Sequence, residues 1–250
     1  VIIMFKDTCY DISIIGGGIS SCVFASTHIK NGFKGRIAII ENGRNLGGRA
    51  STRFSFSNRD WQLNHGSPNF NISNSTNNRL LKSFIQEMLD SKIIQSDSSD
   101  YIQLDGELID QKKINSYFCS GQSYISNSSM SDLSKKIIDH NNLSNQVDYF
   151  FQTLIYKLDH ENNSWILTSK NGHKFKTKFL ICSSNLILHK RSLDILKINQ
   201  IPLREAILIN NDKKIDTILN LLNKQEYVQR LTFLIYTKSN YCYKDNYKNR

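Results

Sequence analysis

Cysteine is scarce and unpatterned in this 250-residue sequence. The five present, Cys9, Cys22, Cys119, Cys182 and Cys242, lie far apart with no CxxC pair. An odd, scattered set argues against a disulfide framework and against a zinc site, and reads as reduced, mostly buried thiols. Long apolar runs are missing too: no stretch approaches the ~18 residues that a membrane helix needs, and the apolar opening at residues 1–5 is too short for a signal-peptide core. The expectation is a cytoplasmic protein with no membrane partner. There is no Gly-x-Ser-x-Gly nucleophile elbow and no cluster of metal ligands. The formal net charge is +10, yet the basic residues are dispersed, without a run of five or an RNA-binding aromatic motif. It therefore reads as a solvated surface of a Lys/Asn/Ser/Ile-biased composition rather than a nucleic-acid interface. Asn-x-Ser/Thr triplets, as at Asn71 and Asn127, follow from the abundance of Asn and Ser and carry no weight for glycosylation.

What is there is organised. Residues 10–15 (YDISII) are a short β-rich run, Gly16 to Gly18 follow, and residues 19–30 have helical length and stop at Asn31-Gly32. Residues 36–40 (RIAII) form a continuous apolar run, as expected of a parallel strand buried on both faces, and end in Glu41. Strand, tight turn, helix and strand thus make a βαβ unit within about thirty residues. Residues 42–53 read as a Gly/Arg-rich loop and residues 57–78 as a segment with little regular structure. Residues 79–90 repeat apolar side chains at 80, 81, 84, 85, 88 and 89, the period of an amphipathic helix. A second helix is expected over 129–140, strands over 147–158, 164–169, 174–176 and 179–183 with a hairpin turn at Asn171-Gly172, a helical patch at 215–223, and a β-rich run at 231–236.

The chemistry-bearing pattern lies in the βαβ unit. Gly16, Gly17 and Gly18, with Ile19, Ser20 and Ser21, form a GxGxxS turn opening a helix. Unpaired backbone N–H groups and the helix dipole there favour a pyrophosphate, and a side chain at Gly16 or Gly18 would block its approach. Ser21 stands where a third glycine usually does, which predicts slightly looser helix–strand packing. Glu41, 25 positions after Gly16, is placed to accept hydrogen bonds from adenosine ribose hydroxyls and to repel a 2′-phosphate. Taken singly, the glycines read as an ordinary turn and Glu41 as a strand-end surface charge; together they point to a dinucleotide.

After Glu41 comes Leu46-Gly47-Gly48-Arg49-Ala50-Ser51-Thr52-Arg53, and later Leu63-Asn64-His65-Gly66-Ser67-Pro68-Asn69-Phe70. These segments resemble the FAD-dependent amine oxidase superfamily, especially its renalase-like branch with its GGR-[MA]-x-TR and D-H-G-A-Q-Y-F patterns. The second is matched at His65, Gly66 and Phe70 only. The resemblance implies FAD as cofactor, Gly47 and Gly48 closing the loop over its diphosphate, and Arg49 supplying a delocalised cation. It also places His65 near the flavin ring and the backbone of Ile155 near the adenine, with Trp165 in the adjoining β-meander. Core packing is the plainer reading of Trp165, and a structural histidine is an equal reading of His65. Arg44 and Arg53 are as readily solvated as cofactor-bound. Residues 121–133 are similar to a glycine-led helix start of the family. The family's C-terminal Gly-Asp segment is not found, so the chain reads as apparently incomplete there.

With 39% hydrophobic residues, the chain can bury one sizeable core or two modest ones. The expected fold is α/β: a Rossmann-like FAD-binding domain of parallel sheet plus β-meander, with an inserted, mixed α+β substrate domain. The division is residues 1–75 and 120–185 for the first and 76–119 and 186–250 for the second. Tyr101, Tyr117, Phe118 and Tyr124 are candidates to line a substrate pocket, with core packing the alternative. The function implied is an oxidoreductase passing a hydride to FAD from a small molecule, an amine or a reduced nicotinamide-like donor. Its alternatives are a non-catalytic or truncated dinucleotide-binding protein, or an NAD-dependent dehydrogenase, for which the GGR loop is unneeded. No catalytic residue, metal or oligomeric state is assigned.

Overall fold

The computed structural model describes residues 9–55, 61–98, 121–140 and 143–226. The chain opens with strand β1 (Cys9–Ile15), helix α1 (Ile19–Lys30) and strand β2 (Ile37–Ile40). Helix α1 buries Ser21, Cys22, Ala25, Ser26 and Ile29, one stripe of mostly small residues that lets the helix lie close to the sheet. A hairpin of β3 (Thr52–Phe54) and β4 (Gln62–Asn64) follows. Then come β5 (Phe70–Ser73), helix α2 (Arg79–Asp90), β6 (Ile94–Ser96) and β7 (Gly121–Ser126). Helix α2 starts where the Asn78 side chain accepts the backbone N–H of Leu81 at 3.1 Å, a standard N-cap. Helix α3 (Met130–Asp139) is capped in the same way by Ser129. Strands β8 (Val147–Phe150), β9 (Ile155–Glu161), β10 (Ser164–Ser169) and β11 (Lys174–Cys182) come next. Two short helices, α4 (Ser192–Leu196) and α5 (Pro202–Ala206), and the longer α6 (Lys213–Asn223) complete the described part.

The main sheet has the order β8-β2-β1-β11-β10-β9, its first four strands parallel and its last three an antiparallel meander that shares β11. In chain order the parallel strands lie 3-2-1-4, the doubly wound arrangement that opens a crevice at the carboxyl ends of β1 and β11. From Ile12 to Ile15 and from Ile37 to Ile40, side chains alternate across it. Ile12, Ile14, Ile37 and Ile39 join Cys22, Ala25, Leu133 and Ile137 of α1 and α3 on one face, with Ile85 and Met88 of α2. Tyr10, Ile15, Ala38 and Ile40 join Ile155, Leu158, Leu167 and Phe175 of the meander on the other. This two-sided burial is what the run of residues 36–40 predicted, and each fully buried isoleucine contributes ~1.5–3 kcal/mol. Separately, β5, β7 and β6 form a three-stranded antiparallel sheet. The fold class is therefore α/β, a mainly parallel Rossmann-like sheet with added antiparallel sheets.

Several expectations need correction. The single strand expected over 147–158 is two, because Gln152 has φ +51° and the N–H groups of Gln152 and Thr153 turn to the carbonyls of Gly43 and Glu41 at 2.9 and 3.0 Å. The two runs expected over 174–183 are one strand. The segment 57–78 carries β4 and β5 in its described residues. Strands β6 and β7 and helices α4 and α5 were not anticipated. The hairpin turn at Asn171-Gly172 is present, Gly172 having φ +85°; a second, at Asn162-Asn163 with both φ positive at +48° and +57°, was missed. The run at 231–236 and residues Tyr101, Tyr117 and Phe118 lie outside the described residues. No described helix is long and apolar enough to cross a membrane, and the described residues hold no group of three or more His, Cys, Asp or Glu that could bind a metal.

Candidate functional site

The glycine turn sits where three strand ends meet. Gly16, with φ +104°, donates its N–H to Ile40 O at the end of β2 at 2.8 Å. Helix α1 then begins with Gly18 as N-cap, with no side chain to cap it and no acidic residue in its first turn. A methyl group added at Gly18 would meet nothing within 4 Å. The first amides of α1, at Ile19, Ser20 and Ser21, therefore open outward without a capping side chain, which is the arrangement that receives an anion. Helix α3 differs: beyond its own cap, the N–H groups of Met130 and Ser131 donate to Asn64 Oδ1 at 3.3 Å and Thr52 Oγ1 at 3.1 Å.

Glu41 is no free surface charge. Its Oε2 accepts the N–H of Gly17 at 2.6 Å and its Oε1 the N–H of Gly43 at 2.5 Å. Each carboxylate oxygen keeps a further lone pair, so a hydroxyl can still be received there. The loop that follows folds back on the turn: Gly47 N–H donates to Gly17 O at 2.9 Å, and Gly18 and Gly47 pair as an isolated parallel bridge. Gly47 has φ +126°, and a β-carbon there would stand 3.0 Å from Ala50 O and 3.3 Å from Ser131 Cα. Only glycine suits that position. Gly48 packs on Gly18, its would-be β-carbon 3.2 Å from Gly18 Cα. Arg49 is exposed, with no side-chain hydrogen bond or ion pair among the described residues.

The His65 segment is tied to this loop through backbone. The N–H groups of His65 and Gly66 both donate to Ser51 O at 3.1 Å, and Ser67 N–H donates to Arg49 O at 2.9 Å. Any β-carbon on Gly66 would collide with Arg49 O, which accounts for glycine there. His65 Nε2 lies 3.3 Å from Ser51 Oγ, and its buried Nδ1 has no partner among the described residues. Ile155, 2% exposed, packs in the meander-side cluster, as does part of Trp165. Tyr124 stacks on Phe70 with ring centroids 5.6 Å apart, which favours packing for it. The structure thus brings Gly16 to Ser21, Glu41, Gly47 and Gly48 into direct contact, joins Arg49, His65 and Gly66 to them through the loop, and buries Ile155 in the meander-side cluster.

Sequence reasoning missed Ser183 and Ser184, at the end of β11. Both donate backbone N–H bonds to Ile15 O, at 3.0 and 2.9 Å, and Ser183 Oγ lies 2.8 Å from Ser21 Oγ. The Ser21 hydroxyl also donates to Gly16 O. Serine in the third glycine position is thus bonded into the turn. Nearby Cys22 has its thiol pushed up to about 12, chiefly by burial, with the Glu41 charge adding to it. Burial does the same to Cys182, so neither is a nucleophile at neutral pH.

Residues 14–88 match a family profile described as an NAD(P)-binding Rossmann-like domain. A comparison with curated proteins finds no match. Among solved structures, a cyclohexanone-bound cyclohexanone monooxygenase is 13% identical over 71% of this chain and 27% of its own, with a TM-score of 0.41. The Diels-Alderase PyrE3 of pyrroindomycin biosynthesis is 11% identical over 72% and 32%, with a TM-score of 0.40. An NADP+-bound cyclohexanone monooxygenase from Rhodococcus sp. Phi1 is 14% identical over 71% and 26%, with a TM-score of 0.36. The chain thus spans about a quarter to a third of the length of these solved chains, and likenesses this weak carry no functional conclusion.

Proposed function

We propose that this chain is the dinucleotide-binding part of a FAD-dependent oxidoreductase of the amine oxidase or renalase-like type. The carrying observation is the α1 N-terminus: Gly18 leaves its amides uncapped, and a Gly18–Gly47 bridge ties the following loop to the turn. These residues fit the diphosphate of a dinucleotide. In this reading the turn Gly16 to Ser21 holds the diphosphate, Glu41 the adenosine ribose, Gly47, Gly48 and Arg49 the far side of the diphosphate, and Ile155 the adenine edge, while His65 and Gly66 face the flavin end. FAD would supply hydride acceptance from an amine or a reduced nicotinamide-like donor. The protein's own residues bind, orient and neutralise: the guanidinium of Arg49 offers charge to the diphosphate, and the α1 amides offer N–H donors. Residues 76–119 and 186–250 are proposed to form the substrate side, and the protein is proposed to be cytoplasmic and to act on a small molecule, not on nucleic acid.

A non-catalytic dinucleotide-binding protein is the second reading. It is favoured by one observation: the thiols with strongly displaced ionisation, Cys22 and Cys182, are displaced by burial and offer no poised acid or base. The deciding experiment is a visible absorption spectrum of the purified chain, repeated after adding FAD and gel filtration. Retained flavin bands support the first reading. Binding of ADP without retained flavin supports the second, and binding of neither overturns both.

A further inference from the structure

Three aromatic residues in a row close β8, and the third stays partly outside the core. Phe150 turns to the meander side, edge-on to Tyr10 and Phe175 with ring centroids 6.0 and 4.7 Å away. Tyr149 packs against the cluster on the α1–α3 side. Phe151 lies parallel to Tyr149, their rings 4° apart in plane and 6.0 Å between centroids, and it remains 38% exposed. Its backbone is pinned on both sides. Phe150 O accepts the N–H of Glu41 at 2.8 Å, and the N–H groups of Gln152 and Thr153 are held by Gly43 O and Glu41 O. The Thr153 hydroxyl donates to Phe151 O at 2.8 Å. An apolar ring is thus fixed at the surface beside a carboxylate.

The strand register says how close the two are. Strands β2 and β8 run parallel with Ile39 opposite Tyr149 and Ile40 opposite Phe150. Glu41 and Phe151 come next, so their side chains leave the same face of neighbouring strands, about 4.8 Å apart in the sheet. In the sheet order β8-β2-β1, the diphosphate turn follows β1 and the proposed ribose acceptor follows β2. A base joined to that ribose has the end of β8 next in line.

We infer that Phe151 is the base-stacking residue of the dinucleotide site: its ring, backed by Tyr149 and held by the pinned turn, offers a fixed face to the adenine. The inference rests on the dinucleotide reading above and adds a face contact to the edge contact proposed for Ile155. A purine overlaps such a ring more fully than a pyrimidine does, so the contact favours adenine over uracil on the same ribose and diphosphate.

The test is calorimetric titration of the 250-residue chain with ADP and with UDP. Phe151→Ala is expected to weaken ADP binding about tenfold, the weight of one stacked base, and UDP binding at most about threefold. Phe151→Tyr, which keeps the ring, binds ADP like the wild type, and Phe151→Leu, apolar without a ring, falls with Phe151→Ala. Phe151→Trp reads the contact directly: its emission, taken as the difference from the wild type, is quenched on adding ADP. Circular dichroism identifies any variant that fails to fold, and the Tyr/Leu pair with the tryptophan emission then decides. Unchanged ADP affinity in Phe151→Ala and Phe151→Leu overturns the inference while leaving the dinucleotide reading intact. Equal losses for ADP and UDP overturn it too, because the ring would then only support the turn beside Glu41. Absence of ADP and FAD binding by the wild type overturns the dinucleotide reading and this inference with it.

Discussion

Glu41 does two things with one carboxylate. Its oxygens tie the glycine turn at Gly17 to the loop at Gly43, so removing them disorganises the turn as well as deleting the proposed ribose acceptor. Hydrogen bonds to a charged group weigh ~1.5–3 kcal/mol each. Glu41→Ala is therefore expected to weaken ADP binding at least tenfold. Glu41→Gln falls between, because its amide nitrogen cannot accept an N–H. Titration that finds Glu41→Ala equal to the wild type would remove Glu41 from both roles. The thiols give an independent residue-scale check. Cys9 is exposed and Cys22 buried, and the thiols of Cys22 and Cys182 are pushed up to about 12 from an ordinary 9.0. Maleimide labelling at neutral pH, mapped by mass spectrometry, should mark Cys9 ahead of Cys22 and Cys182. Below pH 9 folded and unfolded chains both hold these protons, and the stabilising contribution is fully present. Between pH 9 and about 12 only the unfolded chain releases them, so stability falls. The urea midpoint should be lower at pH 10 than at pH 8; a flat or rising midpoint would contradict the burial.

At the scale of elements, α1 and α3 show what two N-termini are for. Helix α3 is capped three times over, by Ser129, Asn64 and Thr52, whereas α1 starts at a bare glycine without an acid in its first turn. Stability alone would favour an acid there, and an uncapped start without one is what the proposed diphosphate site calls for. Ser20→Glu, on an exposed position, should stabilise the ligand-free protein by ~0.3–1 kcal/mol, while repelling ADP and weakening its binding several-fold. Thermal melts with and without ADP measure both. A gain in melting temperature with undiminished ADP binding would strip α1 of its role. Helices α2 and α3 were legible in the sequence because their causes are local: a cap at Asn78 or Ser129 and a stripe of apolar side chains three and four apart. The glycine turn and the GGR loop were legible for the same reason. What escaped has distant causes. The break after Phe150 exists because Gln152 and Thr153 must serve the carbonyls of Gly43 and Glu41, far back in the chain. β11 looked interrupted at Thr177-Lys178, yet Lys178 is paired with Asp11 on the neighbouring strand. Ser183 was invisible because its partner Ser21 lies 162 positions away.

For the molecule as a whole, the open matter is whether the segment from residue 76 folds as a unit of its own. Helix α2 presents Ile85 and Met88 to the cluster that holds Ile12 and Ile14 of β1 and Ile37 and Ile39 of β2, and Ile93 and Ile94 follow it there. A separate domain would bury those side chains in a cluster of its own, so α2 is expected to share the cooperative unit of the dinucleotide sheet. Met88 is 2% exposed, and Met88→Ala should cost ~2–5 kcal/mol through lost burial and the cavity left behind. Because the cavity opens against β1 and β2, that loss should appear as one shifted denaturation transition. Hydrogen exchange should speed up at the amides of β1 and β2 as much as at those of α2. Faster exchange confined to α2 and β6, with a second transition in urea, would instead mean that the boundary near residue 76 is an energetic one. In the cooperative case the glycine turn, anchored at the ends of β1, β2 and β11, feels every loss in that shared core. Met88→Ala should then weaken ADP binding only as the folded fraction falls, and the affinity of the folded molecules should stay that of the wild type.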